Sequence, residues 1–282
     1  MIGVFDSGFG GLTVHHALIR ALPEHDFVYL GDNNNAPYGT RLPLDVLNLT
    51  CAGLERLFAE GCTLVIVACN TASVVTLRWI QQQWLPHRAG QDGIKRNAIG
   101  VVVPTIEAAT GVAWNDAPAL PGRAGQTPRT IGIFATPRTV ETGVYPFEIG
   151  KRRPDIRVIQ QPCPQLAAAI EQGAAAAEIG EMVKKYADEF RLRLGGEKLD
   201  SVILGCTHYP LIADVFAGEL PDVPIIHQPA ATARALVPYL ERHPEHGAGK
   251  SGRRRFLSTG YAKDALPLIE KFWGGKIEFR QA

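Results

Sequence analysis

Short apolar runs recur along the chain, and most of them end in glycine or a small polar residue. They are IGVF (2–5), FVYLG (27–31), LVIVAC (64–69), AIGVVV (98–103), TIGIFA (130–135), IRVIQ (156–160) and SVILGC (201–206). Between many of them apolar residues fall at helical spacing, over 12–22, 44–60 and 166–194. A strand with one face in water alternates apolar and polar residues. These runs do not alternate, so both of their faces are expected to be covered. Strands of that kind separated by helices predict an α/β architecture, a parallel sheet with helices on each side.

The pattern occurs twice. IGVFDSG at Ile2 is matched by IGIFATP at Ile131, and VIVACNT around Cys69 by VILGCTH around Cys206. The two offsets, 129 and 137 positions, are nearly equal and keep the same order, which chance seldom produces. The expected fold is therefore α/β, two similar doubly wound parallel-sheet domains related by pseudo-symmetry, with the active site in the cleft between them. The first domain is expected to be discontinuous, 1–97 plus 208–282, and to carry Cys69; the second, 98–207, carries Cys206. Residues 114–129 (WNDAPALPGRAGQTPR) are rich in proline, glycine and alanine and read as an exposed loop or linker, as does 243–255 (HPEHGAGKSGRRR). GAGKS in the latter superficially resembles a phosphate loop, but the full spacing and a preceding apolar strand are missing.

Composition narrows the function classes. With 282 residues, 46% of them apolar, the chain can build one large or two medium cores. Lys and Arg number 29 against 28 Asp and Glu, which leaves no field for gathering a polyanion. Two short basic clusters, 151–153 and 253–255, read as solvated surface, and nucleic-acid binding is not expected. No apolar run approaches the roughly 18 residues of a membrane span, and IGVF follows Met1 with no signal-like segment before it. Five cysteines, at 51, 62, 69, 163 and 206, have neither the density of a disulfide scaffold nor zinc-site spacing. A soluble, cytoplasmic protein with reduced thiols and no membrane partner is expected.

Three segments carry candidate chemistry, besides Cys69. In FDSGFGGLTV (5–14) a strand ends, Asp6 and Ser7 follow, and Gly8, Gly10 and Gly11 permit a tight turn into a helix near Leu12. Such a turn offers amides and a hydroxyl to an anion, and a glycine-rich turn capped by Asp6 accounts for it equally well. GDNNNAPYG (31–39) is a polar loop after a strand, a kind found in plain turns and in binding sites. In GCTHYP (205–210), Cys206, Thr207 and His208 stand together at a strand end, where an imidazole can stabilise a thiolate or accept its proton. Cys69 read alone is a small core residue. A cysteine–histidine hydrolase explains Cys206 but not Cys69. Paired through the repeat, the two thiols can address opposite faces of one carbon, one removing a proton and the other returning one. Asp6 and His208 are then natural proton partners. With no lysine in a phosphate-cofactor context and no ligand cluster, neither a cofactor nor a metal is expected.

At these residues the sequence resembles a known family, the cofactor-independent glutamate racemases of the aspartate/glutamate racemase superfamily. The matching segments are IGVFDSGFGGLTV, GD with PYG, ACNTAS, FATPRTV and LGCTHYPL, in the family's order and close to its spacing, from residue 2 to about 212. The resemblance implies two α/β domains facing each other across the active site and interconversion of L- and D-glutamate, supplying D-glutamate for peptidoglycan. It implies that Cys69 deprotonates the D-enantiomer and Cys206 the L-enantiomer, assisted by Asp6 and His208. It implies substrate binding by Ser7, Pro37, Tyr38, Gly39, Asn70, Thr71, Thr136, Thr139 and Thr207. Asp32 and Glu171 are further candidates, Glu171 as a family carboxylate near the active site. Family members often form dimers, so a homodimer is an expectation, although no interface is legible in the sequence.

The chain also departs from the family's pattern. Asn33, Asn34, Asn35 and Ala36 follow Asp32 where the family usually reads GDTAR, so a salt bridge or lid contact made there is expected to be replaced or lost. HQPAATARAL (227–236) lacks the acidic start common at that point, and the 114–129 loop is longer than usual. In the family an N-terminal extension accompanies activation by a peptidoglycan precursor; none precedes IGVF, and no such activation is expected. Two rivals stay open: a racemase of another acidic amino acid such as aspartate, and a non-catalytic binding protein that keeps the fold.

Overall fold

The structure, a computed structural model, describes residues 1–88, 93–113, 116, 129–260 and 266–282, so most of the 114–129 segment lies outside the described residues. The strands are β1 (Ile2–Asp6), β2 (Phe27–Gly31), β3 (Leu64–Val67), β4 (Asn97–Gly100), β5 (Arg129–Ala135), β6 (Ile156–Pro162), β7 (Ser201–Gly205), β8 (Ile225–Ile226), β9 (Arg254–Ser258) and β10 (Arg280–Gln281). The α-helices are α1 (Leu12–Ala21), α2 (Pro43–Ala59), α3 (Asn70–Trp79), α4 (Leu85–Arg88), α5 (Val102–Thr110), α6 (Pro137–Glu141), α7 (Val144–Arg152), α8 (Leu166–Glu171), α9 (Ala176–Leu194), α10 (Ala213–Glu219), α11 (Gln228–Arg242) and α12 (Leu266–Trp273).

Two parallel sheets result, one in the order β10-β9-β2-β1-β3-β4 and one in the order β6-β5-β7-β8. The order β2-β1-β3-β4 recurs as β6-β5-β7-β8, so the sequence repeat is a structural one, with β1 equivalent to β5 and β3 to β7. Every residue of β1, β3 and β7 is buried, as their unbroken apolar runs require when helices cover both faces. The expected pair of doubly wound, pseudo-symmetric halves is what the chain builds.

Sheet membership departs from the expected limits at 97/98 and 207/208. β4 straddles the first limit and pairs with β3, whereas β8, expected with the first half, is hydrogen-bonded to β7. β8 is two residues long and sits between Pro224 and Pro229, too short to register as an apolar run. The chain leaves the first sheet through α5 and returns through α11, which packs on both α1 and α5. Two further expectations are corrected. The run 98–103 is strand only to Gly100, because Val102 already begins α5. The helical pattern 166–194 is two helices, broken where Gly173 adopts a left-handed φ of 72° that other residues resist.

The basic clusters are tied into the fold. Arg153 pairs with Asp155 at 2.6 Å, Lys151 and Arg152 both reach Glu148, and Arg255 pairs with Glu60. Arg254 lies over the Phe27 ring at 5.4 Å. The GAGKS loop folds around the carboxylate of Asp26, the residue before β2. Asp26 Oδ1 accepts the Ser251 N–H (2.9 Å), the Ser251 hydroxyl (2.8 Å) and the Arg253 N–H (2.9 Å), groups that a phosphate loop would keep for its ligand. Among the described residues no helix is long and apolar enough to cross a membrane.

Candidate active site

The C-terminal ends of both sheets face one cavity of about 250 Å³. Cys69, Asn70 and Thr71 reach it from the β3–α3 junction, Cys206, Thr207 and His208 from the end of β7, and Ser7 from the turn after β1. Pro37, Tyr38 and Gly39 come from the loop after β2, Thr136 from the β5–α6 junction, and Glu171 from α8. Three helices begin at the cavity wall, since Cys69 precedes α3, Thr136 precedes α6 and Gln165 precedes α8. First-turn N–H groups have no partner within their helix, and together with the positive helix ends they favour an anionic ligand.

On one side, Cys206 Sγ is 3.6 Å from His208 Nδ1. His208 Nε2 lies 3.3 Å from Glu171 Oε2, at ion-pair distance but off the line of a hydrogen bond. Burial opposes charge on His208, but the contacts with Cys206 and the Glu171 carboxylate outweigh it, and the imidazole titrates well above the usual histidine range. Burial likewise pushes Glu171 up, and its contacts with His208 and the Phe9 N–H more than reverse this. The result is an imidazolium held between a carboxylate and a sulfur, placed to stabilise negative charge on Cys206.

Asp6 stands behind this group, fully buried and off the cavity wall, and accepts from the Gly8 N–H (3.1 Å) and the Thr207 hydroxyl (3.3 Å). Burial pushes its carboxyl up, while the charge of His208 acts in the opposite direction. The glycines that follow supply space. A Cβ on Gly8 would stand 2.3 Å from Glu171 Oε1, one on Gly10 2.7 Å from His208 Nδ1, and one on Gly11 2.5 Å from Asp6 Cβ. The glycine-rich turn is thus a backbone wall pressed against three ionisable side chains.

On the other side Cys69 caps α3, its Sγ accepting the Ala72 N–H at 3.4 Å. Burial, followed by the charge of Asp6, pushes its thiol up to about 12, against hydrogen bonds from Ser7 and Ala72. Cys69 is therefore a protonated thiol at neutral pH. The hydroxyls of Thr71, Thr136 and Thr139 form a triangle, 3.0 Å from Thr71 to Thr136, 3.3 Å from Thr71 to Thr139 and 3.0 Å from Thr136 to Thr139. It joins the two halves across the cavity. Thr139 is fully buried behind the other two and does not line the cavity, so it supports the wall instead of forming it.

The loop after β2 is anchored from behind. Asp32 accepts from the Tyr38 hydroxyl (2.6 Å), the Thr259 hydroxyl (2.7 Å) and the Asn35 amide (3.0 Å), and it too is off the cavity wall. Asn33 Oδ1 accepts from Ser258 (2.9 Å), and the Asn34 N–H donates to Thr259 (3.2 Å). Arg41 donates to the Asn35 carbonyl (2.7 Å), and Arg138, from the other half, donates to the Arg41 carbonyl (3.0 Å). Asp32, Asn33 and Asn34 are thus tied to Ser258 and Thr259, at and just after the end of β9. Asn33, Asn34 and Asn35 leave the cavity wall to Pro37, Tyr38 and Gly39.

No protein-family model matches the chain. Among curated proteins it is similar to the glutamate racemase of Phenylobacterium zucineum, 49% identical over 282 residues, which are 100% of this chain and 99% of that protein. The chain belongs to the glutamate racemase family. A glutamate racemase isoform from Bacillus anthracis superposes with a TM-score of 0.82 at 30% identity, covering 100% of this chain and 97% of that one. The glutamate racemase of Francisella tularensis in complex with D-glutamate gives a TM-score of 0.79 at 26% identity, covering 100% and 95%.

The cavity also has walls that no motif marked. Cys163, the residue after β6, lines it, its thiol pushed up by burial and by the nearby Cys206. Its signal in the sequence is a third apolar run followed by a cysteine, although the equivalent strand β2 is followed by no thiol. Gln165 lines the cavity with a left-handed φ of 64°. Gln228, Tyr145 and Thr105 meet around Asn70 from three other elements, a grouping with no linear signature.

Proposed function

We propose that the chain interconverts L- and D-glutamate without a cofactor, using Cys206 and Cys69 as acid–base groups on opposite sides of the substrate Cα. What carries this reading is placement: each thiol stands just past an equivalent strand, β3 or β7, of two facing halves, and both open on one cavity. With L-glutamate bound, Cys206 takes the α-proton as a thiolate supported by the His208 imidazolium, and Cys69 returns a proton to the other face. D-glutamate runs the same steps backward. Glu171 keeps His208 charged, and Asp6 assists at Cys69. Ser7, Asn70, Thr71, Thr136 and Thr207, together with Pro37, Tyr38, Gly39 and the helix N-termini, hold the two carboxylates and stabilise the carbanionic transition state. Asp32 and Thr139 act from behind, by fixing Tyr38 and the threonine hydroxyls. The product supplies peptidoglycan from the cytoplasm, where thiols stay reduced. A homodimer, common in the family, completes the reading and is checked by sedimentation.

The test is incubation of each enantiomer in deuterated water. The unaltered protein racemises glutamate and places solvent deuterium at the Cα of the amino acid, and Cys69→Ala and Cys206→Ala each abolish racemisation. Near-normal activity in both variants would sink the two-thiol mechanism. Turnover of aspartate alone would transfer the protein to another acidic-amino-acid racemase, and ligand binding without Cα exchange would make it a binding protein. Because the enantiomers have equal free energy, kcat/KM must be equal in both directions for every variant, which serves as an internal check.

A further inference from the structure

Asn70 follows Cys69, and its amide is gripped by a buried cluster drawn from three other elements. Asn70 Oδ1 accepts from the Tyr145 hydroxyl (2.8 Å) and from Gln228 Nε2 (3.0 Å), while Asn70 Nδ2 donates to Gln228 Oε1 (2.7 Å). Gln228 Nε2 also lies 3.0 Å from Thr105 Oγ1 and 3.3 Å from the Tyr145 hydroxyl. All four side chains are buried.

Proton counting fixes the orientation of both amides. The Thr105 hydroxyl gives its hydrogen to the Val101 carbonyl at 2.7 Å, so it offers only lone pairs to Gln228. The Gln228 atom facing it must therefore be the donor, Nε2, which turns Oε1 toward Asn70 Nδ2. Asn70 Oδ1 is in turn set against two donors, and both of its lone pairs are used. The side-chain capacity that Asn70 retains is one Nδ2 N–H, and Asn70 lines the cavity beside Cys69. A carboxylate accepts from an amide N–H and is repelled by an amide carbonyl, so the two faces of this amide are not equivalent for an acidic ligand.

We propose that Gln228 is a positioning residue for substrate binding, holding the Asn70 amide with its donor toward the cavity. The cluster spans the places where the chain crosses between the sheets. Thr105 lies on α5, Gln228 begins α11, Tyr145 belongs to α7 of the second half, and Asn70 begins α3 of the first. The orientation of one binding group is thereby tied to the seating of the two halves. This rests on the glutamate-racemising reading above.

The decisive measurement is a double-mutant cycle on steady-state kinetics, with circular dichroism as the check on folding. Gln228→Leu keeps the bulk and removes both polar atoms; KM for L- and D-glutamate should rise about tenfold or more, with a smaller change in kcat. Added to Asn70→Ala, the same substitution should raise KM no further, because its effect passes through Asn70. Tyr145→Phe removes one donor to Asn70 Oδ1, should act in the same direction with smaller size, and carries the same cycle should Gln228→Leu not fold. An unchanged KM in folded Gln228→Leu, or an equal further rise in the Asn70→Ala background, overturns the proposal. Failure of the unaltered protein to racemise glutamate would refute the activity itself, which is a separate outcome.

Discussion

At the scale of single residues, the site depends as much on side chains that are absent as on those present. Gly10 is the sharpest case, since any Cβ there meets the His208 ring and the Thr207 hydroxyl, each at about 2.7–2.8 Å. Gly10→Ala should lower kcat/KM about 10²-fold, the usual cost of displacing a reacting group by an ångström, with little change in circular dichroism. Glu171→Gln removes the negative charge that helps hold His208 as an imidazolium. His208 then loses its proton at lower pH, so the alkaline limb of the kcat/KM profile should shift to lower pH, equally for both enantiomers. An unmoved alkaline limb would detach Glu171 from the proton chemistry.

At the scale of elements, the loop after β2 is placed by bonds to structure behind it. Tyr38 presents its ring to the cavity while its hydroxyl donates to Asp32, which the Thr259 hydroxyl and the Asn35 amide also hold. Tyr38→Phe keeps the ring and leaves a buried carboxylate with one donor fewer, a loss of about 1.5–3 kcal/mol. KM for glutamate should rise by about tenfold and the loop backbone should exchange amide hydrogen faster. The motif PYG was readable in the sequence, whereas its anchor was not. Asp32 and Thr259 are 227 positions apart, and only the parallel pairing of β2 with β9 brings their ends together.

At the scale of the whole molecule, a titratable group off the cavity wall makes the fold less stable toward acid. His15 is fully buried among Phe27, Tyr29, Phe256 and Trp273, and neither ring nitrogen has a hydrogen-bond partner. Burial, followed by the charges of Arg254 and His16, lowers its pKa to about 3. The unfolded chain binds this proton near pH 6.5 and the folded chain only near pH 3, so stability falls as pH falls through that window. Between pH 6.5 and 4.5 the loss from this group is about 2–3 kcal/mol. Urea unfolding at the two pH values should show that difference shrinking by a similar amount in His15→Phe.

The sequence by itself determined the two halves, seven of their strands and the two thiols, because each of these is written locally. A buried parallel strand is an unbroken apolar run, a duplicated half repeats that run at a near-constant offset, and a strand end with its cysteine is a few contiguous residues. Tertiary structure alone decided what stands around the thiols. Glu171 reaches His208 from a helix 37 positions away, Gln228 fixes Asn70 from 158 positions away, and Asp6 and Thr139 withdraw behind the wall. The physical reason is that a proton's pKa and an amide's orientation are set by what lies within about 4–6 Å of it, and in a doubly wound fold those neighbours come from strand ends that are distant along the chain.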